Sequence, residues 1–203
     1  VFNHLLLAVR SGNETWYLND GTEYSSPGAS AFDGKLAFDP AENRIFRLRA
    51  TQITIEESFH MDIVLRENGS ALLKIAERFS GTEFGAEKRR YAEFTPEELR
   101  RHIQNLVSAV SQSARLVGDV QTDFSIYPAT LRYQLEIPDF APRNGKFRQI
   151  ELPWFDRITR PIRTMETNRK TPYERSESLE YRYSWRVALP EGWSVESAPA
   201  SFT

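Results

Sequence analysis

The 203-residue sequence contains no cysteine. This absence excludes disulfides, thiolate metal sites and a cysteine nucleophile within the chain. Only three histidines are present, and they are widely separated, so we expect no metal site and no cofactor. Two of them, His60 beside Asp62 and His102 in a helical stretch, are interpreted as solvated side chains.

Long apolar runs and a strong charge of one sign are also missing. No stretch approaches the roughly 18 apolar residues that span a bilayer, so we expect no membrane insertion by this chain. The formal net charge is only −2, and arginine is interleaved with glutamate, as in Glu180-Tyr181-Arg182. This pattern is typical of solvated strand faces and does not favour a nucleic-acid partner.

The chain does have a hairpin pattern at its start, with two apolar runs around a glycine-containing turn. If the turn is centred on Gly12, His4 lies opposite Asp20 and Ala8 lies opposite Trp16, about 5 Å apart across the strands. A carboxylate in that position can orient an imidazole and raise its basicity, which is half of a Cys-His-Asp nucleophilic site. His4 and Asp20 are therefore the candidate catalytic residues, without their nucleophile.

Residues 2–9 and 16–24 resemble the histidine and aspartate strands that close bacterial transglutaminase-like, papain-like domains. In that family the nucleophilic cysteine lies upstream at a helix N-terminus, so the resemblance implies that this chain begins after it. The family reads Leu-Asp-Ala-Thr or Leu-Asp-Pro-Thr where this chain reads Leu18-Asn19-Asp20-Gly21-Thr22. Asn19 is thus an alternative for the acid, and pairing parity favours Asp20.

Residues 25–30 and 33–35 read as loop, and from Thr51 onward alternation of apolar and polar residues dominates. Asn68-Gly69 is a strong hairpin signal between two such segments. The pattern predicts a strand around Phe59–Leu65, and further strands over 71–79, 115–125, 129–137, 149–152 and 179–189. We therefore expect a mainly β, antiparallel, β-sandwich-like domain.

One amphipathic helix is predicted over about 95–112. Thr95-Pro96-Glu97-Glu98 combines an N-cap residue, proline at the first helical position and a glutamate that completes a capping box. Apolar residues then recur at spacings of four, three and four, at Leu99, Ile103, Leu106 and Val110. The segment 87–91 before it fits either a short helix or a loop. The long helix should pack its apolar stripe on the sheet.

The second part also resembles a known domain. The segments 53–79, 133–140, 169–174 and 189–193, in their order with the capped helix, resemble an uncharacterised β-rich domain that follows transglutaminase-like cores in many bacterial proteins, often predicted to be exported. The resemblance implies a periplasmic or extracytoplasmic location. It divides the chain into residues 1–50, a β-hairpin remnant of an α+β transglutaminase-like core, and residues 51–203, an accessory β domain.

Three functions follow as hypotheses. The first is the C-terminal part of a transglutaminase-like cysteine enzyme that acts on amide bonds of a protein or peptide substrate, with His4 as base and Asp20 or Asn19 as its orienting acid. The second is a non-catalytic β module that binds protein or cell-envelope ligands. The third is a structural spacer. On its own, the chain should be inert in cysteine chemistry, because no residue supplies a thiolate.

Overall fold

A computed structural model describes residues 3–18, 32, 34–49, 54–153 and 178–198. Within these ranges the protein is mainly β, which confirms the predicted class. The strands are β1 Leu7–Ser11, β2 Glu14–Leu18, β3 Leu36–Asp39, β4 Arg44–Arg47, β5 Thr54–Leu65, β6 Ala71–Phe79, β7 Arg115–Asp123, β8 Ala129–Ile137, β9 Arg143–Asn144, β10 Phe147–Arg148 and β11 Ser178–Ala188, and the helices are α1 Gly81–Glu93 and α2 Pro96–Val110.

Five strands form the main sheet, in the order β11-β5-β6-β8-β7. Neighbours from β5 to β7 are antiparallel, whereas β11 pairs parallel with β5. The sheet is therefore mixed, since alternation along a strand specifies its buried face but not the direction of its neighbour. The other sheets in the described ranges are two-stranded hairpins.

One face of the main sheet forms the core. Met61, Ile63, Leu73 and Leu135 are fully buried there, and their polar neighbours in sequence point to the opposite face. The helices lie on this core face, where Phe84 and Tyr91 of α1 and Leu106 and Val110 of α2 pack against the cluster. Apolar side chains on both elements thus lose contact with water together, which is the main driving force for the packing.

The helix α2 starts where its capping residues predict. Thr95 Oγ1 accepts a hydrogen bond from the Glu98 amide at 3.3 Å, and the Thr95 amide donates to Glu98 Oε2 at 2.9 Å. Pro96 occupies the first helical position, where its missing N–H costs nothing. α1 precedes it and covers the segment for which the sequence left helix and loop open.

Two short features differ from the sequence prediction. β3 and β4 form a hairpin that the sequence did not predict, because four-residue strands joined across a turn with Asn43 at φ 49° leave little alternation to detect. The strand predicted over 149–152 is wrong: pairing ends at β10, and the Gln149 amide instead donates to the Pro142 carbonyl at 3.2 Å.

Neither described helix combines the length and apolar character needed to cross a bilayer.

Candidate functional site

The structure places His4 just ahead of β1. Its side chain is exposed, and its ring centroid lies 4.8 Å from that of Phe32. Asp20 and the alternative acid Asn19 lie outside the described residues. The assignment of His4 and Asp20 as a catalytic pair therefore stays a prediction.

The hairpin that carries His4 is present, but its predicted register is wrong by one residue. Val9, and not Ala8, lies opposite Trp16. The reason is the turn, which is a two-residue loop of Gly12 and Asn13 rather than a turn centred on Gly12. Gly12 has φ +60°, the conformation that glycine supplies in the first central position of such loops.

Both N-terminal hairpins expose large apolar side chains. Among them, Leu7 is 64% exposed, Leu36 is 61% exposed and Ile45 is 63% exposed. Isolated exposed apolar residues are ordinary, but several on neighbouring short strands indicate a surface that another part of a protein can cover.

The second candidate surface is the side of the main sheet opposite the core, here called the open face. It carries the outward side chains of the four strands β11, β5, β6 and β8. They include Glu180, Arg182, Ser184 and Arg186 of β11, Ser58, His60, Asp62 and Val64 of β5, Leu72, Lys74, Ala76 and Arg78 of β6, and Thr130, Arg132, Gln134 and Glu136 of β8.

A hydrogen bond and a close charge contact, both made by His60, join β11 to β5 on the open face. His60 Nδ1 lies 2.7 Å from Ser184 Oγ, and His60 Nε2 lies 3.2 Å from Asp62 Oδ1. Arg186 approaches the same carboxylate at 3.7 Å. A histidine between a hydroxyl and a carboxylate is the arrangement used in serine-dependent acyl transfer. Here, however, His60 and Asp62 are 40% and 38% exposed, so these groups lack the water-excluded setting that strengthens such chemistry.

Beside these contacts lie three cations, Lys74, Arg78 and Arg132, here called the cation group. In the strand register Ala76 is flanked by Arg132 on one side and His60 on the other, and Lys74 and Arg78 precede and follow it by two residues. All three cations are exposed, and none forms an ion pair with any residue in the described part of the chain. The group is therefore a local excess of positive charge.

Three acids of the open face lie beside arginines. Glu136 pairs with Arg66, Glu180 pairs with Arg182, and Asp62 lies near Arg186. Asp123, at the end of β7, accepts hydrogen bonds from Ser125, which lower its pKa most, and the charge of Arg132 lowers this pKa further. The surrounding acids thus leave the cation group without a bound carboxylate.

The core side holds a different polar pair. Glu77 is 3% exposed, and its Oε1 accepts a hydrogen bond from the Tyr133 hydroxyl at 3.1 Å. Burial of this kind requires such donors, because an unmatched carboxylate is costly away from water. No set of three ligand residues suited to a metal ion occurs among the residues that the structure describes.

A groove of about 500 Å³ lies along α2 and shares no residue with the open face. Its walls include Ile103, Val107 and Leu116, with Arg100 and Gln104 at the side. It brings together no group that the sequence singled out as catalytic.

Sequence reasoning placed His60 and Asp62 together but missed Ser184. Residues two apart on one strand share a face, whereas contact with Ser184 depends on strands 124 residues apart in the chain. No local signal indicates that pairing. Comparisons with family models, curated proteins and solved structures gave no match.

Proposed function

We propose that this chain is a non-catalytic β module that binds a ligand of the bacterial cell envelope through the open face of its main sheet. The observation that carries the proposal is a difference between the two faces of the main sheet. The helices α1 and α2 pack on the core face, whereas on the open face the three members of the cation group are exposed. An exposed group of surplus positive charge on a sheet face suits recognition of an oppositely charged partner.

Blocking the open face tests this function. Since the chain has no cysteine, one introduced by Gln134→Cys carries a maleimide-linked polyethylene glycol at a single place. Gln134 is exposed beside Lys74 in the strand register. The unblocked protein should co-sediment with purified cell-wall sacculi that keep their attached anionic polymers, and the blocked protein should stay in the supernatant.

The matched control carries the same polymer through Asn105→Cys, at an exposed position of α2. This protein should sediment like the unmodified chain, because α2 lies on the other face of the sheet. Equal sedimentation of both blocked proteins would contradict the proposal, as would failure of the unblocked chain to bind sacculi.

The second candidate is attachment to a transglutaminase-like core in an extracytoplasmic enzyme. The exposed apolar side chains of the N-terminal hairpins, such as Leu7 and Ile45, support it, because a preceding core would cover them. The one-residue change of register removes the parity argument that favoured Asp20 over Asn19. In a protein that joins this chain to such a core, one of the two replacements Asp20→Ala and Asn19→Ala should reduce amide transfer far more than the other, and the larger loss identifies the orienting acid. Full activity in both variants would contradict the enzyme reading.

A further inference from the structure

We infer that the cation group is a binding site for a phosphate group carried on the envelope ligand. The inference rests on the proposed function and narrows the ligand from any envelope component to a phosphate-bearing polymer. It stands on the register of β6 and β8 and on the charges that this register brings together.

The geometry lets three side chains reach one point. Lys74 and Arg78 are four residues apart on β6, about 13 Å along the strand. Arg132 lies between them on the adjacent strand, opposite Ala76 and about 5 Å away. Lysine and arginine side chains are long enough to converge from these positions above the small side chain of Ala76. A larger residue at position 76 would fill that space.

The charge balance favours phosphate over carboxylate. On this face Glu136 and Glu180 are each paired with one arginine, so a single guanidinium is sufficient for a single carboxylate. Three cations around one point match a more highly charged group. Guanidinium groups also donate in pairs to phosphate oxygens, which gives such contacts direction as well as strength.

The neighbouring acids do not fill the site. Asp62 lies opposite Lys74 in the register, but its carboxylate contacts His60 and Arg186. Asp123 Oδ1 accepts hydrogen bonds from the hydroxyl and the amide of Ser125, and the charge of Arg132 acts on this carboxylate without an ion-pair contact. Neither carboxylate forms an ion pair with Lys74, Arg78 or Arg132 in the described part of the chain, so the cation group can take an external anion.

Titration of the full chain with tripolyphosphate, followed by amide chemical shifts, tests the site directly. The Ala76 amide should be among the signals that shift most. Replacing the group by Lys74→Gln, Arg78→Gln and Arg132→Gln together should weaken binding by more than about tenfold, since charge-assisted hydrogen bonds are lost at three places. All three positions are exposed, so the fold should be retained.

Two further variants make the test specific. Lys35→Gln, Arg101→Gln and Arg143→Gln remove one lysine and two arginines from exposed positions outside the open face, and this variant should bind like the unchanged protein. Ala76→Glu keeps every cation but places a carboxylate among them, and it should abolish binding. Poly-glutamate is the carboxylate comparator and should bind more weakly than tripolyphosphate.

The outcomes separate this inference from the proposed function. Tripolyphosphate binding that survives the triple replacement, or that is matched by poly-glutamate, would overturn the phosphate site. Sacculi binding that is blocked at Gln134 would still support the module in that case. Conversely, tripolyphosphate binding at Ala76 without any sacculi binding would support the site and overturn the envelope function.

Discussion

Tyr91 and His102 show how burial sets the protonation of single residues in this protein. The Tyr91 hydroxyl lies 3.1 Å from His102 Nε2. Burial raises the pKa of Tyr91, with smaller contributions from Glu87 and Glu77, so its hydroxyl keeps its proton. Burial, and then the charge of Arg90, lowers the pKa of His102. A neutral imidazole therefore accepts a hydrogen bond from a protonated phenol.

This pair predicts a pH-dependent part of the stability. The folded state disfavours protonated His102, so the unfolded chain takes up the proton first as the pH falls below about 6.5. The part of the free energy of unfolding that depends on neutral His102 should be fully present above that pH. It should be lost progressively as the pH falls through the lowered pKa of His102. Urea unfolding at a series of pH values should show this loss in the unchanged protein and a smaller loss in His102→Gln. The same pH profile in both proteins would contradict the prediction.

The network on the open face marks the limit of residue-level prediction. That His60 and Asp62 share one face follows from strand alternation alone. The hydrogen bond between His60 and Ser184 depends on β11 pairing with β5, which strand alternation does not specify. The first hairpin turns at Gly12 and Asn13 and not around Gly12 alone. This difference changes the cross-strand partner of every residue in β1 and β2.

Of the two described helices, α2 is the one that sequence reasoning locates better. Its N-cap residue, proline and glutamate act over four adjacent positions, so long-range packing is not needed to recognise them. How deeply its apolar stripe is buried could not be predicted. Its stripe residues Leu99, Ile103, Leu106 and Val110 are only half-buried, and no residue of α2 is fully buried.

The different burial of two leucines predicts that replacing each by alanine lowers the free energy of unfolding by a different amount. Leu135→Ala removes a side chain with 0% exposure from the centre of the sheet and should reduce the free energy of unfolding by about 2–5 kcal/mol. Leu106→Ala removes a half-buried side chain at the helix surface and should cost about 1–2 kcal/mol. Urea unfolding measures both.

Asn105→Ala, at the exposed neighbouring position of α2, is the matched control and should change stability little. A loss for Leu106→Ala as large as that for Leu135→Ala would show that α2 is packed more tightly than its exposure indicates.

For the whole molecule, the class of fold was predictable and the arrangement was not. The strands 71–79 and 129–137 have the bounds that alternation predicts, because one buried face imposes a period of two. Strand order and direction depend on contacts between distant segments, so alternation could not reveal a mixed sheet with β11 beside β5. The open face follows from that order, and the cation group was therefore invisible in the sequence.

The predicted domain boundary near Ala50 implies that residues 51–203 fold without residues 1–50. The core cluster takes its described members from residues 59–193, and none comes from residues 3–49. A shortened chain of residues 51–203 should therefore keep its sheet signal in circular dichroism and its thermal midpoint to within about 4 °C, the change that corresponds to roughly 1 kcal/mol in a chain of this size.

Leu135→Ala should also lower the midpoint equally in the shortened and full chains, because its contacts lie on the same side of the boundary. A shortened chain that fails to fold, or one that loses much more than 4 °C, would place the N-terminal hairpins in the same cooperative unit as the sheet. In that case residues 1–50 would stabilise the β domain directly, and the division of the chain at Ala50 would be wrong.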